Sequence, residues 1–419
     1  MKKPIEHFDV AVIGGGPAGM IAAGRAAELG AKVVLIEKND RPGRKLLMTG
    51  NGRCNLTHAE PDTRRLVERY GREGKFLFSP FSVFGVSEVV EFFRAQGVPT
   101  KVEEDGRVFP VSDKASDVLS ALLDYMKKGG VKLKTGISVT GLENDGDRIT
   151  KALYAGGEIP ADSFIVCTGG RSYPATGSTG EGYGWMKRLG HTVIAPAPSL
   201  VPVTVKEEWV KELEGASFQG TGIYLYQDGR KKAGCTGEGV FTRNGISGPS
   251  VLNLSKKLRE LATVGEVKLV LDLMPDTDIA GLDARMVSMF KDNPNRLLKN
   301  SLGDMLSPKM LPLVMKLAGI PEDSVINGVQ RDRRLALVKL VKGLEFTVRG
   351  LGGFEKAMVT SGGVSLKEID SRTMRSKVIE NLYLAGEIID LDGPTGGYNL
   401  QICWSTGYVA GEYSAGSPK

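Results

Sequence analysis

The chain has 419 residues, of which 41% are hydrophobic and 25% charged, and its net charge of +6 is mild for that length. This balance is that of an ordinary globular protein with an ample core and room for two or three domains; it excludes a disordered or low-complexity chain. Cys54, Cys167, Cys235 and Cys403 are widely spaced and form no C-x-x-C, and His7, His58 and His191 are the only histidines, so neither a disulfide framework nor a metal centre is expected.

The chain opens with Lys2 and Lys3 before an apolar run. Glu6 and Asp9 interrupt that run, and Gly14-Gly15-Gly16-Pro17 would break its helix, so a signal peptide does not suit it. Residues 8–37 read as strand, turn, helix, strand: Phe8 to Ile13 apolar, Ala18 to Leu29 alanine-rich with helical spacing, Lys32 to Ile36 β-branched. That is one βαβ unit. Residues 85–98 and 113–128 read as helices, 131–139 as a strand, and 162–168 as a buried strand ending at Gly169-Gly170. Pro196, Pro198 and Pro202 mark a domain crossing. Residues 203–273 alternate apolar and polar positions between turn signals, as an antiparallel β domain does, with one helix opening at Pro249-Ser250. Residues 276–343 turn helical and 344–380 return to strands and loops. The end reads as strand Leu382 to Ala385, a loop, then a helix from Leu400 to Tyr413. No stretch of about 20 apolar residues is present, so no membrane span is expected and a cytoplasmic location is the default.

Gly14-Gly15-Gly16-Pro17-Ala18-Gly19 matches G-x-G-x-x-G between a buried strand and a helix, with Glu37 closing the next strand and Lys38 beside it. Gly14 permits the tight turn, Gly16 lets backbone approach a pyrophosphate, and Gly19 lets helix and strand pack closely. The helix N-terminus offers N–H groups and partial positive charge to the phosphates. An acidic Glu37 suits ribose hydroxyls and not a 2′-phosphate, so the site is expected to take FAD or NAD. Three features favour FAD. Arg44 and Lys45 follow the βαβ unit directly, and Gly52, Arg53, Cys54 and Asn55 form a segment whose backbone can follow the ribityl chain. Val139, after a helix and strand, is a candidate backbone contact to adenine. Glu387 after Ala385-Gly386, followed by Asp392 and by Gly396-Gly397-Tyr398-Asn399-Leu400 at the last helix, suits ribityl hydroxyls and the N1–C2=O edge of isoalloxazine. The bland alternatives are a solvated basic loop at 41–45 and simple helix capping at 396–399.

Val12 to Gly19, Gly50 to Thr57, Cys167-Thr168-Gly169-Gly170-Arg171-Ser172-Tyr173-Pro174, Phe241 to Pro249, and Ala385 to Gln401 together resemble the BaiN/RdsA-like NAD(P)/FAD-dependent oxidoreductases, a family that includes proteins called aminoacetone oxidases. The resemblance spans nearly the whole chain. It implies an α/β fold of the two-dinucleotide-binding-domain flavoproteins, related to glutathione reductase: a Rossmann-type FAD-binding domain from both chain ends, an inserted β-barrel-like domain and a small helical domain. It implies FAD contacts at Gly14 to Gly19, Glu37, Arg44, Lys45, Arg53, Thr168, Gly169, Gly386, Glu387 and Gly397 to Leu400. His58 and Arg375 depart from the family's usual residues.

The expected partition is 1–195 with 355–419 for FAD, 196–273 with 344–354 for the β domain, and 274–343 for the helical insertion. With chemistry on the flavin, no catalytic side chain is required, and Tyr173, Tyr398 and Arg243 are candidate substrate-side groups. Cys54 has Gly50 and His58 at the offsets where a disulfide reductase carries its second cysteine, so it reads as a buried structural thiol. No second complete G-x-G-x-x-G unit follows, so NAD(P)H is expected as a transient co-substrate over the flavin, with a small organic acceptor, an enone among the options, being reduced. The alternatives are an oxygen-dependent amine or alcohol oxidase, and a flavin-bearing RNA-modifying or redox-sensing protein. Nucleic acid is not favoured: the nearest basic stripe, Arg331, Arg333, Arg334 and Lys339, reads as a solvated helix face.

Overall fold

A computed structural model of the protein describes residues 6–303 and 305–416; Lys2 and Lys3 lie outside them. Two compact units result: Met1–Ser199 with Ala357–Lys419, and Leu200–Lys356.

In the first unit β1 (Phe8–Ile13) lies at the centre of a seven-stranded sheet. It pairs in parallel with β2 (Val33–Ile36) on one side and with the strand Gly157–Val166 on the other. β2 continues to Lys132–Lys134, and Gly157–Val166 also takes Leu382–Leu384 in parallel, so residues from near both chain ends share one sheet. Apart from the exposed Asp9 near its start, β1 is apolar, and β2 is apolar throughout, because both faces are covered. The sequence reads 131–139 as one strand, whereas the structure divides it. Gly136, at φ +69°, turns the chain over the end of β2, where its N–H and that of Ile137 donate to the carbonyls of Asn39 and Glu37. Val139 then starts an antiparallel meander through Arg148–Tyr154 into Gly157–Val166.

The helix α1 (Pro17–Glu28) owes its alanines to the last helix, Tyr398–Ser414, which packs against it. A Cβ at Gly407 or Gly411 would stand 2.4 Å from the carbonyl oxygen of Ala18 or Ala22, so the two backbones approach as only glycine allows. That last helix begins at Tyr398, two residues before the periodicity suggests, because Gly397 caps it at φ +96°. The stretch between β2 and residue 85 folds into short pieces: turns at Leu46–Gly52 and Gly71–Leu77, helices Thr63–Glu68 and Phe78–Val83, and the strand Thr57–His58. That strand joins Arg107–Pro110 and Thr100–Val102 in a small antiparallel sheet.

In the second unit six strands close into a barrel, in spatial order Val203–Val205, Gly245–Ser247, Arg230–Thr242, Ser217–Gln227, Lys268–Asp272 and Leu344–Leu351. Ile223, Phe241, Leu269 and Phe346 fill its interior. The helices Ile279–Asp292, Met310–Leu317 and Arg331–Lys342 enclose a further core around Leu282, Met286, Val314 and Leu337. Among the described residues, no single helix is long and apolar enough to cross a membrane.

Candidate functional site

β1 delivers the chain to a turn at Gly14 (φ +107°), where Gly14 N–H donates to the Ile36 carbonyl, and α1 starts at once with Gly16 as its cap and Pro17 in its first turn. No side chain caps this N-terminus, which leaves its first N–H groups free for an anion. The three glycines differ in what surrounds them. A Cβ at Gly19 would lie 1.9 Å from the Gly14 carbonyl oxygen, and one at Gly14 2.4 Å from that of Cys167, whereas one at Gly16 would meet nothing within 4 Å. Gly14 and Gly19 are therefore required by the protein's own packing. Gly16 faces open space, where a pyrophosphate would approach.

That space is part of a cleft. Gly14 to Ala18 form one wall, Glu37 to Asn39 the end of β2, and Gly43 to Leu46 the following loop. Val139, Thr168, Gly169, Gly386 and Glu387 also line it. Glu37 is 7% exposed. One of its carboxylate oxygens accepts from Gly15 N–H at 2.7 Å, the other from the Asn39 N–H at 2.8 Å and from its side-chain amide at 2.7 Å. These bonds fix the carboxylate's orientation and leave a lone pair on Oε2 for a ribose hydroxyl. The buried Thr168 hydroxyl has no partner. An uncapped helix end, an oriented carboxylate, an orphaned hydroxyl and a cradle clear at Gly16 fit the adenosine diphosphate part of FAD.

Lys45 and Glu387 make a second cluster. Lys45 Nζ lies 2.7 Å from Glu387 Oε2 and donates to Ser172 Oγ at 2.5 Å; Glu387 Oε1 accepts from Ser172 Oγ at 2.7 Å and from Thr360 N–H at 2.7 Å. Glu387, expected to bind a ribityl hydroxyl directly, has both oxygens engaged and ties the loop after β2 to the turns after two further strands. Arg44 pairs with Asp40 at the rim, and Lys38 with Thr179 and Glu181.

The other residues singled out in the sequence do not line this cleft. Arg53 lies over the Phe109 ring at 3.9 Å and pairs with Glu103 at 2.7 Å. Cys54 is fully buried, and burial pushes its thiol up to about 12. Asn55 reaches the C-terminal turn: with its amide oriented to satisfy its neighbours, its oxygen accepts from Gly397 N–H at 3.0 Å. Gly52 ends the turn before it. Gly170 packs on Thr360, and Asp392 accepts from Ser199 Oγ at 2.8 Å. Asn399 clamps the 393–399 turn through Gly393 N–H and the carbonyls of Gly393 and Pro394. Leu400 packs against the core. Tyr398 stacks on His58, ring centres 4.8 Å apart, and its carbonyl accepts from Tyr70 OH. Gly396 borders the same His58 ring. Tyr173 sits at φ +50° with its hydroxyl on Met358 sulfur. Arg243 is exposed at a turn of the barrel in the second unit.

The sequence reading missed part of the cleft: Asn39, Leu46, Ile137, Trp185, Cys403 and the loop Thr176 to Glu181. The signal for the loop is Gly177-Ser178-Thr179-Gly180, two glycines with φ +108° and +83° set directly before the helix Glu181–Arg188.

The family model described as the HI0933-like protein Rossmann domain matches residues 8–413. The chain is 32% identical over 414 residues to a 3-dehydro-bile acid delta(4,6)-reductase of Clostridium scindens, covering 98% of this chain and 99% of the relative. It is 29% identical over 408 residues to a ribosomal RNA dihydrouridine synthase of Escherichia coli, covering 97% and 98%. In fold it is similar to the 3-ketosteroid delta1-dehydrogenase of Sterolibacterium denitrificans, with a TM-score of 0.55 at 13% identity over 98% of this chain and 100% of that one.

Proposed function

For a chain that belongs to the HI0933-like family, the BaiN/RdsA group of FAD-dependent oxidoreductases, we propose that the reaction is the NAD(P)H-dependent reduction of a carbon–carbon double bond conjugated to a carbonyl. The observation that carries the reading is the cleft at Gly16, which is open, faces an oriented Glu37 and is rimmed by an uncapped helix N-terminus. Bound FAD supplies two-electron hydride chemistry at its isoalloxazine ring. The chain's residues do the rest: Gly14 to Ala18 and Glu37 hold the adenosine diphosphate portion, and Lys45 with Glu387 fixes the loops along the cleft.

The acceptor class is supported by the names of the two full-length relatives. A 3-dehydro steroid unsaturated at positions 4 and 6 and a uridine share one feature, a C=C in conjugation with a carbonyl, and in each named activity that bond becomes saturated. The balance is NAD(P)H, one proton and the unsaturated acceptor giving NAD(P)⁺ and the saturated product. The hydride adds to the conjugated C=C and the proton completes the carbon next to the carbonyl.

Anaerobic mixing of the yellow protein with NADH and, separately, NADPH tests the reading. One of them bleaches the flavin, and a simple enone added afterwards restores the colour without oxygen. No bleaching by either nucleotide, together with bleaching by an amine or alcohol, would overturn it in favour of an oxidase.

A further inference from the structure

Lys38 and Asn39, the two residues after Glu37, bond to a segment 137 to 143 positions further on. Lys38 Nζ donates to Thr179 Oγ1 at 2.8 Å and pairs with Glu181 at 3.1 Å. Asn39 Nδ2 donates to the Thr176 carbonyl at 3.0 Å, and the same amide donates to Glu37 Oε1 at 2.7 Å. One run of hydrogen bonds therefore joins the Glu37 carboxylate to the backbone of the loop 176–181. Both partners line the cleft, so where they touch, the cleft is shut. Gly136 and Ile137 add a third segment to the same wall, their N–H groups donating to the carbonyls of Asn39 at 2.8 Å and Glu37 at 3.1 Å.

The loop has fixed ends and a jointed middle. At one end the Thr176 N–H and hydroxyl both donate to the Tyr173 carbonyl, at 2.8 and 2.7 Å. At the other, Glu181 opens the helix Glu181–Arg188, which is anchored by the buried Tyr183, Trp185 and Met186. Between them Gly177 (φ +108°) and Gly180 (φ +83°) flank Ser178 and Thr179, in a backbone conformation that costs glycine little. A Cβ at Gly177 would stand 2.7 Å from Asn39 Nδ2, so the loop lies on Asn39 as closely as glycine permits. The Lys38 side chain is 24% exposed and that of Glu181 49%, so water reaches this fastening and it can open without disturbing the core.

We propose that Lys38 and Asn39 latch the Thr176–Glu181 loop as a strap across the adenosine end of the cleft, and that the latch opens for FAD to enter or leave. The proposal rests on the reading of this cleft as the FAD site, and it assigns control of cofactor exchange to these residues. Its physical consequence is specific. Every latch bond joins two residues of the chain, so removing one lowers the barrier to entry and to exit alike and leaves affinity nearly as it was. A side chain that only touched the cofactor would change exit alone and weaken affinity in full proportion.

The test is the exchange kinetics of the full-length protein loaded with radiolabelled FAD. Release is read as loss of label during a chase with excess unlabelled FAD, and uptake as the change in flavin fluorescence when protein stripped of FAD is mixed with it. Lys38→Met is expected to release and to take up FAD about three- to tenfold faster, the span that losing one charge-assisted hydrogen bond allows, with affinity changed by less than about twofold. Thr179→Val is expected to move both rates the same way by less, and K38M/T179V to be no faster than K38M, because the hydroxyl then has no lysine to hold. Lys187→Gln, which removes an exposed cation from the last turn of the same helix, is expected to exchange as wild type does. Melting curves check that the variants are folded. Unchanged rates in Lys38→Met, faster release with unchanged uptake, or an equal effect of Lys187→Gln overturns the latch. A wild type that binds no FAD removes the reading of the cleft and the latch with it, whereas FAD binding together with any of the other adverse results removes the latch alone.

Discussion

Lys45 and Glu387, 342 positions apart in the chain, meet at 2.7 Å inside the cleft, with side chains only 21% and 16% exposed. The pair links the loop after the nucleotide-binding unit to the turn after the strand Leu382–Leu384. Removing one partner leaves the other charge half-desolvated. Glu387→Gln is expected to lower unfolding stability by about 2–4 kcal/mol, and Lys45→Met/Glu387→Gln to recover part of that loss. Urea titration of the three proteins checks it; equal losses in single and double variants would remove the coupling.

Gly19 and Gly16 separate folding from binding. A Cβ at Gly19 collides with backbone at 1.9 Å, so Gly19→Val is expected to destabilise the fold by about 3 kcal/mol or more and to yield little soluble protein. Far-ultraviolet circular dichroism and thermal melting of whatever is recovered decide it.

Two histidines and three cysteines set the pH range of stability. Burial holds His58 and His191 below the ordinary 6.5, so their contribution is present above that value and is lost as pH falls through it. Burial pushes Cys54 and Cys403 up to about 12 from 9.0, and Cys167 further in the same direction; their contribution is full below 9 and is lost as pH rises. The thermal midpoint is expected to be flat between about pH 7 and 9 and to fall on either side, steeper on the alkaline side because three thiols act together. A midpoint that climbs from pH 9 to 10 would contradict it.

The same burial makes the thiols unreactive. Of the four cysteines, Cys54 and Cys167 are buried, Cys235 and Cys403 only partly so. At pH 8 an aromatic disulfide reagent is expected to label at most two thiols quickly in the native protein and all four in urea. Rapid labelling of Cys54 or Cys167, located by peptide mass, would show that the core around β1 opens.

The nucleotide-binding unit was legible because its signals are local: strand, glycine turn and helix follow one another within residues 8–37, and each glycine has one steric reason. The antiparallel strands of the second unit were legible from period-two alternation between turns, whereas their closure into a barrel was implied only by the family resemblance. The segment from Leu46 to Phe84 was not, because its helices are short and are held by Tyr70, Leu66 and Leu77 packing on distant residues. The same non-locality hid one aspect of the site: Glu387 reads as suited to a ribityl hydroxyl, and nothing in the sequence shows that Lys45, Ser172 and Thr360 converge on it.

The most direct measurement is the FAD content and FAD titration of wild type beside Gly16→Val. A Cβ at Gly16 meets nothing in the protein within 4 Å, so the variant is expected to fold with a nearly unchanged melting curve, to be colourless, and to bind FAD at least about a hundredfold more weakly. Wild type is expected to be yellow and to release FAD, identified by mass. A wild type that refuses FAD, or a Gly16→Val protein as yellow as wild type, would contradict the assignment of the cleft.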